Sequence, residues 1–245
     1  MKNKKSLGQH WLKNRAILDE IASDAGSGGL CLEIGPGLGT LTSSLLKRFK
    51  KVVAVEYDED LARKLPKSFP GKNLEVINTD ILEFNFAQMA HPYVVVGNIP
   101  YYITSPIIEK ILKAPNQPDK IVLLIQKEVA ERVADKKETM LSLFVKNYAE
   151  VELGVVVGRN EFTPPPKVDS QVLILTPHAP EISEEVFGLI RRGFSAPRKK
   201  LIHNLAGLKS KEELVSIFES LKINTNVRPG DLNLADWQRI FDLLK

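Results

Sequence analysis

The 245-residue sequence predicts an α/β fold: a mostly parallel, seven-stranded sheet between helices, followed by a small C-terminal all-helical domain. Three observations predict it. Apolar runs of strand length alternate with helical patterns as far as Tyr148, two β-rich runs then follow in tandem, and from Glu181 onward the β pattern ceases. The expected domains are residues 1–179 and 180–245, joined after Thr176-Pro177-His178-Ala179-Pro180.

In chain order, Ile17, Leu18 and Ile21 set an apolar helical stripe. Leu30-Cys31-Leu32-Glu33-Ile34 is the first strand, and Gly35-Pro36-Gly37-Leu38-Gly39-Thr40 turns it into a helix through Leu41, Leu45 and Leu46. A glycine-rich turn between strand and helix lets a ligand approach the backbone, with Gly35 and Gly37 as the candidate contacts. Such loops serve nicotinamide, flavin and S-adenosylmethionine cofactors alike. The second strand, Lys51 to Val55, ends in Glu56, about 20 residues beyond the loop, where a carboxylate can accept from both ribose hydroxyls. The third, Leu74 to Asn78, delivers Asp80, a candidate acceptor for an adenine amine.

The fourth strand, Val94-Val95-Val96, stops at Gly97 and presents Asn98-Ile99-Pro100-Tyr101-Tyr102 at the sheet's carboxyl edge, where ligands bind in open α/β sheets. Ser105 and Pro106 are expected to open the next helix as cap and first turn. A fifth strand spans Ile121 to Ile125, helices cover Lys127 to Ala134 and Met140 to Tyr148, and the last strands are Val151 to Val157 and Gln171 to Leu175. Between those two strands, Pro164-Pro165-Pro166 makes a stiff loop that fixes Phe162 and Lys167 in space. Four short amphipathic helices complete the chain.

Composition excludes several classes. No window approaches the roughly 18 apolar residues of a membrane span, and the basic Met1 to Lys5 lacks the apolar run of a signal peptide, so a cytoplasmic protein is expected. Cys31 is the only cysteine and the four histidines are scattered, which leaves no metal site with the usual spacings. Net charge is +4, concentrated in two acid-free clusters, Lys2 to Arg15 and Arg191 to His203, which tilts toward a polyanionic partner.

A nicotinamide dehydrogenase would share the first half of this pattern, but it would not need Asn98-Ile99-Pro100-Tyr101. Methyl transfer to a planar aryl amine uses these residues together. The Asn98 side-chain oxygen and a main-chain carbonyl held by Pro100 would bond both amine hydrogens and free the nitrogen lone pair for attack, while Tyr101 stacks on the base.

The sequence resembles the S-adenosylmethionine-dependent dimethyladenosine transferases of small-subunit ribosomal RNA along nearly its full length. The resemblance lies in Ser6-Leu7-Gly8-Gln9-His10-Trp11-Leu12, Glu33 to Gly39, Asn98-Ile99-Pro100-Tyr101, Phe162 to Ser170, and Arg228-Pro229-Gly230-Asp231-Leu232. It implies a Rossmann-like class I methyltransferase fold. It further implies S-adenosyl-L-methionine contacts at His10, Leu12, Gly35, Glu56, Asp80 and Asn98. The target adenine would be held by Asn98, the Ile99 carbonyl, Tyr101 and Phe162, and the Ser195 to Asn204 segment, with Arg198, Lys199 and Lys200, would face RNA. The family often has Asn where His10 stands and Phe where Trp11 stands. The implied activity is dimethylation of N6 of two adjacent adenosines in the 3′-terminal hairpin of 16S rRNA, on 30S assembly particles, by a monomer. The alternatives are the large-subunit methyltransferase of the macrolide-resistance type and a non-catalytic RNA-binding or assembly factor on the same fold.

Overall fold

The computed structural model describes residues 9–245; the basic leader Met1 to Lys5 and the motif residues Ser6-Leu7-Gly8 lie outside the described residues. In chain order the elements are β1 (Trp11–Leu12), α1 (Arg15–Asp24), β2 (Gly28–Ile34), α2 (Thr40–Leu45), β3 (Phe49–Glu56), α3 (Glu59–Lys64) and β4 (Leu74–Asn78). They continue with β5 (Val94–Asn98), α4 (Thr104–Leu112), β6 (Lys120–Gln126), α5 (Lys127–Ala134) and α6 (Met140–Tyr148). The last are β7 (Ala149–Val157), β8 (Phe162–Thr163), β9 (Ser170–Pro177), α7 (Glu184–Gly193), α8 (Leu201–Asn204), α9 (Lys211–Ser220) and α10 (Leu234–Leu244).

Two compact units emerge. The first runs to Glu131 and resumes over Glu150–Pro177; the second comprises Arg132–Ala149 and His178–Lys245. The first holds the seven-stranded sheet, in the order β4-β3-β2-β5-β6-β9-β7. From β4 across to β6 every pairing is parallel, and β9 runs antiparallel to β6. Cys31, Val52, Val95, Val96 and Val122 are inaccessible to solvent, as strands covered on both faces require. On one face, α1 and α2 bring Leu18, Ile21, Leu41 and Leu45 into a core with Cys31, Val52 and Val96. Asn14 starts α1 by accepting from the main-chain nitrogens of Ala16 and Ile17.

Helix α4 begins two residues before the expected start. Ile103 is its cap and Ser105 lies inside the first turn, because a single 3₁₀ turn over Tyr101–Ile103 feeds the helix directly. Pro106 remains in the first turn, where its missing N–H costs no hydrogen bond.

Gly97 fixes how β5 passes β2. A Cβ there would lie 2.9 Å from the Ile34 carbonyl oxygen and 3.1 Å from Ile34 Cβ and Ile99 Cγ2. The first of these atoms is backbone and cannot swing aside. Gly97→Ala is therefore expected to cost about 1–3 kcal/mol of stability and to displace the adjoining Asn98. Thermal unfolding and kcat check it; a variant as stable and active as the parent would contradict this packing.

The second unit corrects the expected boundary. The break at Pro177 falls two residues from the expected one, but α6, assigned above to the first domain, joins the C-terminal helices. Its Phe144 meets Phe187 of α7 edge to face at 5.7 Å, and buried Asn147 accepts from the Ile182 main-chain nitrogen at 2.8 Å. The main-chain nitrogen of Glu138 donates to the Gly230 carbonyl at 2.8 Å. The local pattern of α6 is that of any amphipathic helix, so it cannot say which neighbour its apolar stripe will meet. Trp237 of α10 is fully buried in this unit.

Candidate active site

Strand order reverses between β2 and β5, and ligands bind beyond the carboxyl ends of strands at such a switch point. A cavity of about 290 Å³ opens there, lined among others by His10, Leu12, Gly35, Gly37, Glu56, Asp80 and the whole of Asn98-Ile99-Pro100-Tyr101. Seven expected cofactor residues and four expected catalytic residues, Asn98 counting in both sets, thus share one enclosure.

Each wall has a local cause. Gly37 adopts φ +56°, and a Cβ on it would meet Trp11 Nε1 at 3.2 Å, so the turn needs glycine for conformation and for space. A Cβ on Gly35 would lie 3.9 Å from the Asn98 carbonyl oxygen, which puts the glycine turn beside the end of β5. Glu56 is 6% exposed and its carboxylate braces the turn: Gly37 N–H donates to Oε2 at 3.0 Å and Asp58 N–H to Oε1 at 2.8 Å. Burial raises its pKa, and these two donors oppose the rise. The carboxylate, with about four acceptor sites, keeps capacity for a hydroxyl. Asp80 accepts from Leu82 N–H at 2.8 Å through Oδ1, which turns the chain after β4.

At the end of β5, Asn98 Nδ2 donates to the His10 carbonyl at 3.0 Å. The Tyr101 hydroxyl shares a 2.7 Å hydrogen bond with Ser170 Oγ, and its ring lies 6.1 Å from that of His10 at an interplanar angle of 19°. Tyr101 is therefore held through its hydroxyl, with the His10 ring in an offset stack beside it. Tyr57 and Tyr102, both more than 60% exposed, also line the cavity.

Phe162 does not. Its side chain is 3% exposed and packs in the core with Leu12, Leu18 and Val172, outside the cavity lining. The cause is the β1 and β8 pairing, Leu12 opposite Phe162, which turns that ring inward. Two-residue strands carry no periodic signal, so the sequence could not announce this pair. Arg198, Lys199 and Lys200 lie exposed in the second unit, with Lys200 Nζ on Asn226 Oδ1 at 2.6 Å.

Sequence reasoning gave no role to Glu33, the first residue of the glycine motif. It is 1% exposed, accepts from Thr42 Oγ1 at 2.6 Å, and its pKa is pushed up to about 8, foremost by burial and further by nearby Glu56. The clue was available: an acid inside an otherwise apolar strand.

Comparison with known families matches residues 1–245 to ribosomal RNA adenine dimethylase. The chain belongs to that family. Among curated relatives, the ribosomal RNA small subunit methyltransferase A of Nostoc sp. is 39% identical over 264 residues, covering 98% of this chain and 97% of the relative. The protein of the same description from Mycoplasma capricolum is 33% identical, covering 100% and 98%. Among solved structures, a dimethyladenosine transferase from Plasmodium falciparum is 30% identical with a TM-score of 0.78, covering 94% and 96% of the two chains. The 23S rRNA methyltransferase ErmE is 27% identical with a TM-score of 0.78, covering 96% and 99%. As an rRNA adenine dimethylase the chain is an enzyme with the class I methyltransferase fold, and its cofactor is S-adenosyl-L-methionine. The cavity suits that group: a turn whose Gly35 and Gly37 carry no side chain, a carboxylate with acceptor capacity to spare and a second acid one strand further along.

Proposed function

We propose that this dimethylase acts on the small ribosomal subunit, adding two methyl groups to N6 of each of two adjacent adenosines in the 3′-terminal hairpin of 16S rRNA, as a cytoplasmic monomer. The observation that carries the reading is the single cavity that joins the glycine turn to Asn98-Ile99-Pro100-Tyr101. The cofactor supplies an electrophilic methyl group on a sulfonium. Gly35, Gly37, Glu56, Asp80 and Leu12 would hold it. Asn98 Oδ1 and the Ile99 carbonyl accept the two amine hydrogens, which favours a pyramidal nitrogen with its lone pair free. Tyr101 stacks on the extruded base and offsets part of the unstacking cost. The product ammonium is acidic enough to lose its proton to water, so no strong base is needed.

In the second unit, Arg198, Lys199 and Lys200 are proposed to meet RNA phosphates; all three are exposed on an acid-free segment. Replacing them together by alanine is expected to weaken particle binding and to reduce the salt slope of log K by up to about three. An unchanged slope would remove this segment from the interface. Among the described residues, no helix is long and apolar enough to cross a membrane.

The deciding experiment incubates the protein and labelled cofactor with undermethylated 30S and 50S particles and maps methylated adenosines by mass. Dimethylation confined to 30S is expected. The fold likeness to ErmE makes large-subunit methylation the second reading, and transfer to 50S alone would establish it instead.

A further inference from the structure

Asn98 performs the proposed chemistry only if its oxygen faces the target amine, and the two ends of a carboxamide differ little in size. The selection between them is made from the other end of the chain. Nδ2 lies 3.0 Å from the main-chain carbonyl of His10. A carbonyl only accepts, so that place must be taken by the NH₂ end; a flipped amide would set two acceptors against each other. Among the described residues, no protein donor reaches Asn98 Oδ1.

His10 is itself pinned. Its Nδ1 is 2.8 Å from the Pro164 carbonyl, so that nitrogen carries the proton and donates. The next two residues form β1, with Trp11 opposite Thr163 and Leu12 opposite Phe162; Leu12 is 1% exposed. One short strap therefore touches the end of β5, the proline loop and, through Trp11, the glycine turn at Gly37.

We infer that His10 is a positioning residue for methyl transfer: its carbonyl orients the Asn98 amide, and its imidazole anchors that carbonyl to Pro164. This rests on the reading of Asn98 as acceptor of the target amine. It differs from a cofactor contact, the role implied for His10 by family resemblance, and the two separate experimentally.

The test compares His10→Ala and His10→Asn in the full chain. His10→Ala is expected to lose about tenfold or more in kcat, the cost of a misplaced reacting group. Its Kd for S-adenosylmethionine should stay within about twofold of the parent, and His10→Asn, which keeps a donor near Pro164, should recover most of the rate. An increase in Kd that accounts for the whole loss, or an unchanged kcat, would overturn the inference. A second readout needs no substrate: solvent exchange of the Asn98 side-chain protons by NMR, one slowed in the parent and released in His10→Ala. Equal exchange in both would also overturn it. Should the parent methylate no small-subunit particle, the functional reading fails while this exchange measurement still reports on the clamp. Should His10→Ala not fold, Asn98→Asp probes the same contact, since only the protonated acid can donate to the His10 carbonyl. Its rate should rise as pH falls; a rate that is flat or rises with pH sinks the idea.

Discussion

Replacing Asn98 by alanine is expected to lower kcat for methyl transfer by at least about 10³, with the fold intact. The loss is that of a preorganised group aimed at the reacting atom, of the size measured for single oxyanion-hole donors or larger. The stability cost is small by comparison. Removing Nδ2 leaves the partly buried His10 carbonyl without its donor, worth about 1 kcal/mol and, in a chain of this length, about 2–4 °C in Tm. Steady-state kinetics on undermethylated 30S particles, with calorimetry on the same preparation, check both halves. Full activity in the alanine variant would refute the proposed role of the amide.

The second large effect concerns Glu33. Its folded pKa is about 8 against 4.5 for the free side chain, so between those values the folded protein keeps a proton that the unfolded chain has shed. Stability contributed by the neutral acid is complete below about pH 4.5 and is lost as pH rises through 8. A shift of that size corresponds to about 3–5 kcal/mol across the window, or on the order of 10 °C in Tm. Glu33→Gln keeps an acceptor for Thr42 Oγ1 at 2.6 Å and removes the titration. The cofactor-free variant should match the parent near pH 5 and exceed it at pH 9. Parallel Tm profiles for the two proteins would place the alkaline sensitivity elsewhere.

The sheet and most of the cavity were legible because their signals are local. Val94-Val95-Val96 is a buried strand by its own composition, Gly35 and Gly37 mark a turn by their own conformational freedom, and Glu56 and Asp80 follow their strands directly. Phe162 shows where locality ends. It stands among motif residues, yet two residues of β1 claim its side chain for the core across a separation of about 150 positions. The same holds for α6, whose stripe is as apolar as any other but is matched by Phe187 and Ile182 rather than by the sheet.

By itself, then, the order of residues determined the strand and helix alternation, the glycine turn, the acids at successive strand ends and the Asn98 motif, since periodicity and turn chemistry act within a few residues. Only the tertiary structure decided that Phe162 is core, that Glu33 is a buried neutral acid beside Thr42, that α6 belongs with the C-terminal helices, and that the His10 carbonyl sets the direction of the Asn98 amide. Each of those depends on which distant surfaces meet, and burial and hydrogen-bond partners exist only once they have met.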